Sequence, residues 1–426
     1  MRAAAVIVHR YVGLVMAGFL LIAGLTGSLL VWYHELDAAV NPALFRVEPP
    51  RATPGGSAGP LLDPLMLRAQ VQEAYPGAQV NYLSFHQGRP EDARLFYVEA
   101  ATAASEQSAE LAVDEVFVNP YTGEILGARK WGDITQGITN LMPFLYRLHY
   151  SLALGTVGTW IFGIVALLWT IDCFVGAWLT FPVSPRKGTR ANRSWWVRWQ
   201  PAWAVRWRGG SYKLNFDLHR AGGLWPWAML LVVAWSSVAF NLYAPLYRPL
   251  MGAVFQLQPD PKESLAALDE PEPEPALGWP AAIALAREHM ALQARLKGFT
   301  VLEEDRVSYD PKQGYLRYVV RTDRDISDHR GQSALFVDAR TGKLSGTVLP
   351  TGEAAGDTVT SWITTLHMAH VWGLPFRIFM TLVGLLVAVV SVTGVVVWWK
   401  KRLARVANAG RQQTLSHSRP GRGSAL

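Results

Sequence analysis

The sequence predicts a membrane α-helical protein: four transmembrane helices in two parallel repeats, with two small α+β modules outside the bilayer. Four apolar runs, 11–33, 160–181, 218–243 and 377–399, can each cross a bilayer, whose core takes about 20 helical residues at roughly 1.5 Å each. Motifs also recur at near-constant offsets. His9-Arg10 and His219-Arg220 open the first and third runs, 210 residues apart (219 − 9). Leu148-His149 and Leu366-His367 precede the second and fourth, 218 apart (367 − 149), with Gly155 and Gly373 each six residues after the histidine. Phe117-Val-Asn-Pro-Tyr-Thr-Gly-Glu124 matches Phe336-Val-Asp-Ala-Arg-Thr-Gly-Lys343 at an offset of 219 (336 − 117). Finally, 50% of the residues are hydrophobic and 18 are Trp, a composition that points to membranes.

The elements follow in order. The first span, within 1–34, is too long for a cleaved leader, lacks a small-residue cleavage site and recurs in the second half. The first module, 35–140, opens with a Pro/Gly/Ala-rich linker at 51–60. Helical spacing over 65–75 stops at Pro76-Gly77, strand-like stretches follow at 94–98 and 116–118, and Asn119-Pro-Tyr-Thr-Gly123 turns before Ile125. Residues 141–181 hold the second span behind an amphipathic interfacial helix beginning near Thr139. The loop 182–217 is basic, and in it Trp196, Trp199, Trp203 and Trp207 recur at helical spacing although Pro201 interrupts them. Membrane anchoring is the simpler reading of that stripe; the other is a docking face for an acidic electron donor. After the third span, 218–244, the second module, 245–357, has the same order as the first. It has an acidic, Pro-rich linker at 269–275, a helix at 280–296, strands at 316–320 and 334–337, and a turn at Thr341-Gly342. Residues 358–400 carry a second interfacial helix, 358–371, and the fourth span, and 401–426 form a basic tail.

Charge sets the expected orientation. The first ten residues, the loop and the tail from Lys400 hold 17 Lys and Arg against one acidic residue, Asp217. The rest of the chain has 23 basic (40 − 17) against 32 acidic (33 − 1) residues. The positive-inside rule therefore puts both termini in the cytoplasm and the modules on the far side. A basic face beside a membrane favours anionic lipid and not nucleic acid.

Cys173 is the single cysteine, which excludes an internal disulfide, covalent haem through Cys-x-x-Cys-His, and cysteine zinc or iron–sulfur sites. No glycine-rich nucleotide fingerprint is present, so electrons, if the chain handles them, come from a separate donor.

The paired histidines carry the expected chemistry. A low-spin b haem needs two axial nitrogens in a dry site and cations for its propionates. His9 with His219 forms one candidate ligand pair and His149 with His367 the other, which gives two b haems per chain. Arg10, Arg220, Arg147 and Arg377 lie beside these histidines and are candidate propionate partners; for Arg10 and Arg220 the competing reading is positive-inside anchoring. His370, one turn beyond His367, competes with it as ligand, although the Leu-His-to-Gly spacing favours His367. His34 ends the first span and is either a haem contact or an interfacial cap. His86, His289, His329 and His417 read as ordinary surface residues. Asp172 is the one acidic residue deep in a span. It either takes up a proton during haem reduction, lines a quinol pocket, or hydrogen-bonds a neighbouring helix through Thr170 or a serine such as Ser236.

The order of a His-Arg start, a Trp-Tyr-x-Glu end (Trp32-Tyr33-His34-Glu35), a Pro-Tyr-Thr-Gly turn and Leu-His followed by Gly resembles the PepSY-associated transmembrane family. These proteins are also known as iron-regulated membrane proteins and include FoxB-type ferrisiderophore reductases with b-type haems. The resemblance covers the four spans and both modules. It implies PepSY-like periplasmic modules, a bacterial inner membrane, and a ferric siderophore as the periplasmic electron acceptor, with release of Fe(II). A cytoplasmic flavin, flavoprotein or quinol would be the donor. No catalytic acid, base or nucleophile is needed. A different function, also suggested by the resemblance, is a non-redox protein that binds or regulates a periplasmic peptidase or another envelope partner. A permease for iron or a siderophore is a third reading, but no interrupted polar helix pair stands out in the sequence.

Overall fold

The computed structural model describes residues 1–50, 59–86, 88–101, 111–183 and 194–417. Most of the linker expected at 51–60, part of the basic loop and the end of the tail lie outside the described residues. The chain divides into two compact units. A helical unit comprises Met1–Leu29, Leu148–Asn241 and Ile378–Leu426, and a sheet-containing unit comprises Leu30–Arg147 and Leu242–Arg377.

Among the described residues, three helices are long and apolar enough to cross a bilayer: Arg2–Leu30, Gly155–Thr180 and Gly373–Ala409. The third expected span is broken. Helices Ser211–Leu224 and Trp227–Asn241 meet at 70°, and they make a fourth span only if counted together. Pro226 causes the break, because it has no N–H and its ring excludes the carbonyl four residues back, that of Gly222. The interruption is lined by Leu224, Trp225 and Trp227, not by polar residues, so it differs from the broken helices at transporter sites.

Inside the helical unit, Cys173, Leu230, Ala234, Val383 and Val387 are buried together. Polar contacts join the helices as well. Trp227 Nε1 donates to the Cys173 carbonyl at 2.9 Å, and Ser28 Oγ, which also contacts the Gly24 carbonyl of its own helix, donates to the Thr381 carbonyl at 3.0 Å. Such interhelical bonds contribute about 0.6–2 kcal/mol each in a membrane. In the basic loop, the expected tryptophan helix stops early. It runs only over Trp195–Trp199, passes into a 3₁₀ turn at Gln200–Ala202, and ends where Pro201 withholds its donor.

In the sheet-containing unit the strands are β1 Ala78–Gln79, β2 Tyr82–Ser84, β3 Arg94–Tyr97, β4 Glu99–Ala100, β5 Glu115–Val118, β6 Ile125–Arg129, β7 Val301–Asp310, β8 Tyr315–Thr322, β9 Ser333–Asp338 and β10 Leu344–Val348. All pairs are antiparallel: β10-β9-β8-β7-β2, β3-β5-β6 and β1-β4. Strand β2, from the first segment of this unit, pairs with β7 of the second, Tyr82 opposite Ser308. The two segments also share one core. Leu67, Val71, Phe96 and Val116 from one pack in a cluster with Ile283, Ala286, Leu316 and Leu335 from the other. Read along the sequence they are two modules; folded, they form one unit.

Local chemistry explains the elements that the sequence anticipates. Helix Pro64–Ala74 starts at Asp63, whose carboxylate accepts from the Leu65 N–H at 2.7 Å. Helix Trp279–Lys297 carries proline in its first turn, buries Trp279, Ala282, Ile283, Ala286 and Met290 along one face, and ends at Gly298 with φ +66°. The two matched turns are built alike. Asn119 and Asp338 side chains accept from the N–H groups two residues on, at 3.0 and 2.8 Å, and Gly123 and Gly342 close the turns at φ +78° and +73°.

Candidate histidine site

His9 lies on the first helix, and His219 lies on Ser211–Leu224, the first half of the broken span. The helical unit brings them together: their ring centroids stand 6.0 Å apart with the planes at 49°. Both rings are oriented through Nδ1. His9 Nδ1 lies 2.9 and 3.0 Å from the two carboxylate oxygens of Asp172 on the second helix. His219 Nδ1 lies 2.9 Å from the backbone carbonyl of Val390 on the fourth. A carbonyl or a carboxylate oxygen only accepts, so Nδ1 bears a proton in both rings, and in the neutral imidazole Nε2 is the lone-pair nitrogen.

Glycines shape the surroundings. A Cβ on Gly176 would stand 3.5 Å from His9 Cε1, and one on Gly394 would stand 3.0 Å from His219 Cε1, so each ring lies against bare backbone. Gly13 and Gly223 each follow a histidine by four residues, one turn along the same helix face. A Cβ at either would meet nothing within 4 Å, although both positions are half-buried. Neither glycine position is thus filled by a neighbouring side chain.

Asp172 bonds neither Thr170 nor Ser236, the partners considered from sequence. Thr170 Oγ1 donates to the Ala166 carbonyl at 2.8 Å, Ser236 Oγ donates to that of Val233 at 3.0 Å, and the carboxylate turns to His9. Spacing along one chain could not find this pair, since its members are 163 residues apart.

The remaining candidates are placed as follows. His149 belongs to the helical unit and contacts Thr26 at 3.0 Å through Nδ1. The Thr26 hydroxyl also donates to the Ile22 carbonyl of its own helix at 2.7 Å. A Cβ on Gly27 would be 3.0 Å from His149 Cε1, repeating the ring-on-glycine arrangement. His367 closes helix Ala355–His367 in the sheet-containing unit. His370 does not continue that helix face, because Ala369 takes φ +55° and turns the chain. It stands instead 4.7 Å from the His329 ring centroid, and His329 stands 6.2 Å from that of His34. Burial and the neighbouring His329 push the His370 imidazole down to about 4. His329 is therefore not an isolated surface residue, and nothing in the Asp328-His329-Arg330 run signals its partners. Among the described residues, no group of three or more His, Cys, Asp or Glu has the geometry to hold a bare metal ion.

The arginines divide in the same way. Arg10 makes no hydrogen bond or ion pair among the described residues. Arg220 donates to Asp217 at 3.0 Å and to the Pro201 carbonyl at 2.6 Å, while Arg206 also grips Asp217 at 2.6 and 2.8 Å. Arg147 donates to the Gly132 carbonyl at 3.0 Å. Arg377 pairs with Glu35 at 2.7 Å, donates to the Val31 carbonyl at 2.7 Å and lies 4.3 Å over the Trp32 ring.

Set beside known proteins, residues 6–401 match the family model described as the PepSY-associated TM region, which is nearly the whole chain. No curated protein matches the chain.

Proposed function

The chain belongs to the PepSY-associated transmembrane family, and on that premise we propose that it is a di-haem b reductase of the bacterial inner membrane. Electrons from a cytoplasmic flavin, flavoprotein or quinol reduce a periplasmic ferric siderophore, which then releases Fe(II). The observation that carries this reading is the His9–His219 pair. Its ring centroids stand 6.0 Å apart with both Nδ1 atoms hydrogen-bonded, so the two Nε2 atoms are the nitrogens that would ligate an iron. A b haem held there would supply one-electron chemistry. His9 and His219 would bind it, Asp172 and the Val390 carbonyl would orient them, and the bare Gly13 and Gly223 would leave room beside them. Arg10, with its guanidinium unengaged, suits a propionate. Arg220 is already drawn to Asp217, so its part there is a shared one.

The duplicated architecture is part of the same proposal. His9 and Gly13 correspond to His219 and Gly223 at an offset of 210, and Asp172 and Gly176 correspond to Val390 and Gly394 at 218. Elements four residues apart that keep one offset support a repeat of helix, PepSY-like module and helix. The second haem rests on this repeat in the sequence, with His149 and His367 as ligands and His370 or His34 as competitors. Lys and Arg asymmetry supports cytoplasmic termini and a periplasmic sheet-containing unit.

The test is the visible spectrum of detergent-purified protein, oxidised and dithionite-reduced, with a pyridine haemochrome count. Sharp reduced bands and about two b haems per chain are expected. Protein free of haem from haem-replete cells overturns the proposal and leaves a non-redox PepSY protein that binds a periplasmic peptidase or envelope partner.

A further inference from the structure

The two histidines of the pair are held by chemically different partners, and that difference has a consequence for electron transfer. Positions 172 and 390 are equivalent in the repeat, 218 apart (390 − 172), and each lies against Nδ1 of one histidine. At 390 the partner is the backbone carbonyl of a valine. At 172 it is a carboxylate whose side chain is only 11% exposed. The valine side shows that a backbone carbonyl suffices to hold an imidazole here. The carboxylate therefore adds something other than orientation, and it does so at the cost of placing an ionisable group within an apolar helix.

We propose that Asp172 is a positioning residue that gives His9 partial imidazolate character and so holds the His9–His219 haem at a lower reduction potential than a carbonyl partner would. This inference rests on the haem reading above. A hydrogen bond from Nδ1–H to a carboxylate raises the basicity of the ligating nitrogen, and hydrogen bonding around axial ligands is one of the means by which proteins set haem potentials. Each reduction adds one electron to iron and transfers no other atom.

Asp172→Asn is the informative variant, because its amide oxygen still accepts from His9 Nδ1–H while the charge is gone. The wild type and variant, purified as full chains, are compared by spectroelectrochemical titration and by the EPR g-values of the ferric form. The expected result is two haems retained, with one titration wave shifted toward reduction at least tenfold in its equilibrium constant, about 59 mV for one electron. The other wave stays in place, and one low-spin EPR signal moves. Asp172→Glu, which keeps the carboxylate, returns both readouts toward wild type. Unchanged potentials and g-values in a fully loaded Asp172→Asn protein overturn the proposal. If Asp172→Asn loses a haem, the Glu variant decides: recovery of haem and potential supports a carboxylate role, and a Glu variant equally empty overturns it. A wild type without haem refutes the underlying reading instead, and this is seen before any variant is made.

Discussion

Gly24 and Gly384 meet backbone to backbone in the helical unit: a Cβ on Gly24 would stand 2.6 Å from the Gly384 carbonyl oxygen and 3.1 Å from the Ala388 nitrogen. Real side chains do not approach so closely, so the first and fourth helices pack at this point only because neither glycine has one. Small residues at a crossing let membrane helices gain dispersion contacts that lipid would otherwise supply. Replacing Gly24 with Leu forces these helices apart, and overpacking of this kind costs about 1–3 kcal/mol. A lowered melting midpoint in detergent, with haem lost only on unfolding, is the expected outcome. An unchanged midpoint would mean that the crossing is looser than it stands here.

Gly13 and Gly223 should behave differently. A Cβ at either position would meet nothing within 4 Å. Gly13→Leu and Gly223→Leu are expected to leave the stability of the haem-free protein within about 0.5 kcal/mol of wild type, as for substitutions that touch no packed feature. Both should cut the haem count from about two toward one. A full complement of haem in either variant would show that the ring does not lie beside these glycines.

His9→Ala and His219→Ala should each remove the same haem, so the double variant loses no more than either single one. His149→Ala and His367→Ala should remove the other. His370→Ala and His34→Ala are expected to retain both. Loss of a haem in His370→Ala, with His367→Ala intact, would exchange their roles.

Arg129 bridges Asp37 at 2.8 Å and Glu115 at 2.7 Å in the sheet-containing unit, with all three side chains at most 4% exposed. Burial raises the Glu115 carboxyl above its usual range against the pull of Arg129. Arg129→Met leaves two buried carboxyls without a cation, which costs about 3–5 kcal/mol. Adding Asp37→Asn and Glu115→Gln to it should recover part of the loss in chemical denaturation. A triple variant no more stable than the single one would place the cost in packing.

Glu304 offers a pH-dependent effect outside the spans. Burial alone would raise its carboxyl, but hydrogen bonds from Arg287, at 2.6 and 2.8 Å, and from Tyr318 hold it below the usual carboxylate range. A carboxyl depressed on folding stabilises the protein above its unfolded value, about 4.3, and that contribution is lost as pH falls through the folded one. With both side chains about a third or more exposed, the effect is at most about 1 kcal/mol. Glu304→Gln should thus be slightly less stable than wild type at pH 7, and the difference should vanish toward pH 3. A difference that persists in acid would assign it to geometry and not to charge.

Hydropathy, histidine spacing and turn chemistry along the sequence by themselves determined the apolar runs, the turns at Gly123 and Gly342, and the pairing of His9 with His219. These are legible because each depends on neighbours within a few residues, or on a repeat that copies such a neighbourhood. Pro226 was also visible, but its effect was not, since proline inside a membrane helix can kink it slightly or break it through 70° as here. Only the tertiary structure decided that Asp172 turns to His9, that β2 joins β7 across more than two hundred residues, and that His329 stands between His34 and His370. Each depends on which distant surfaces meet. That choice is made by shape, by burial and by the need of every buried polar group for a partner, and a one-dimensional pattern does not contain it.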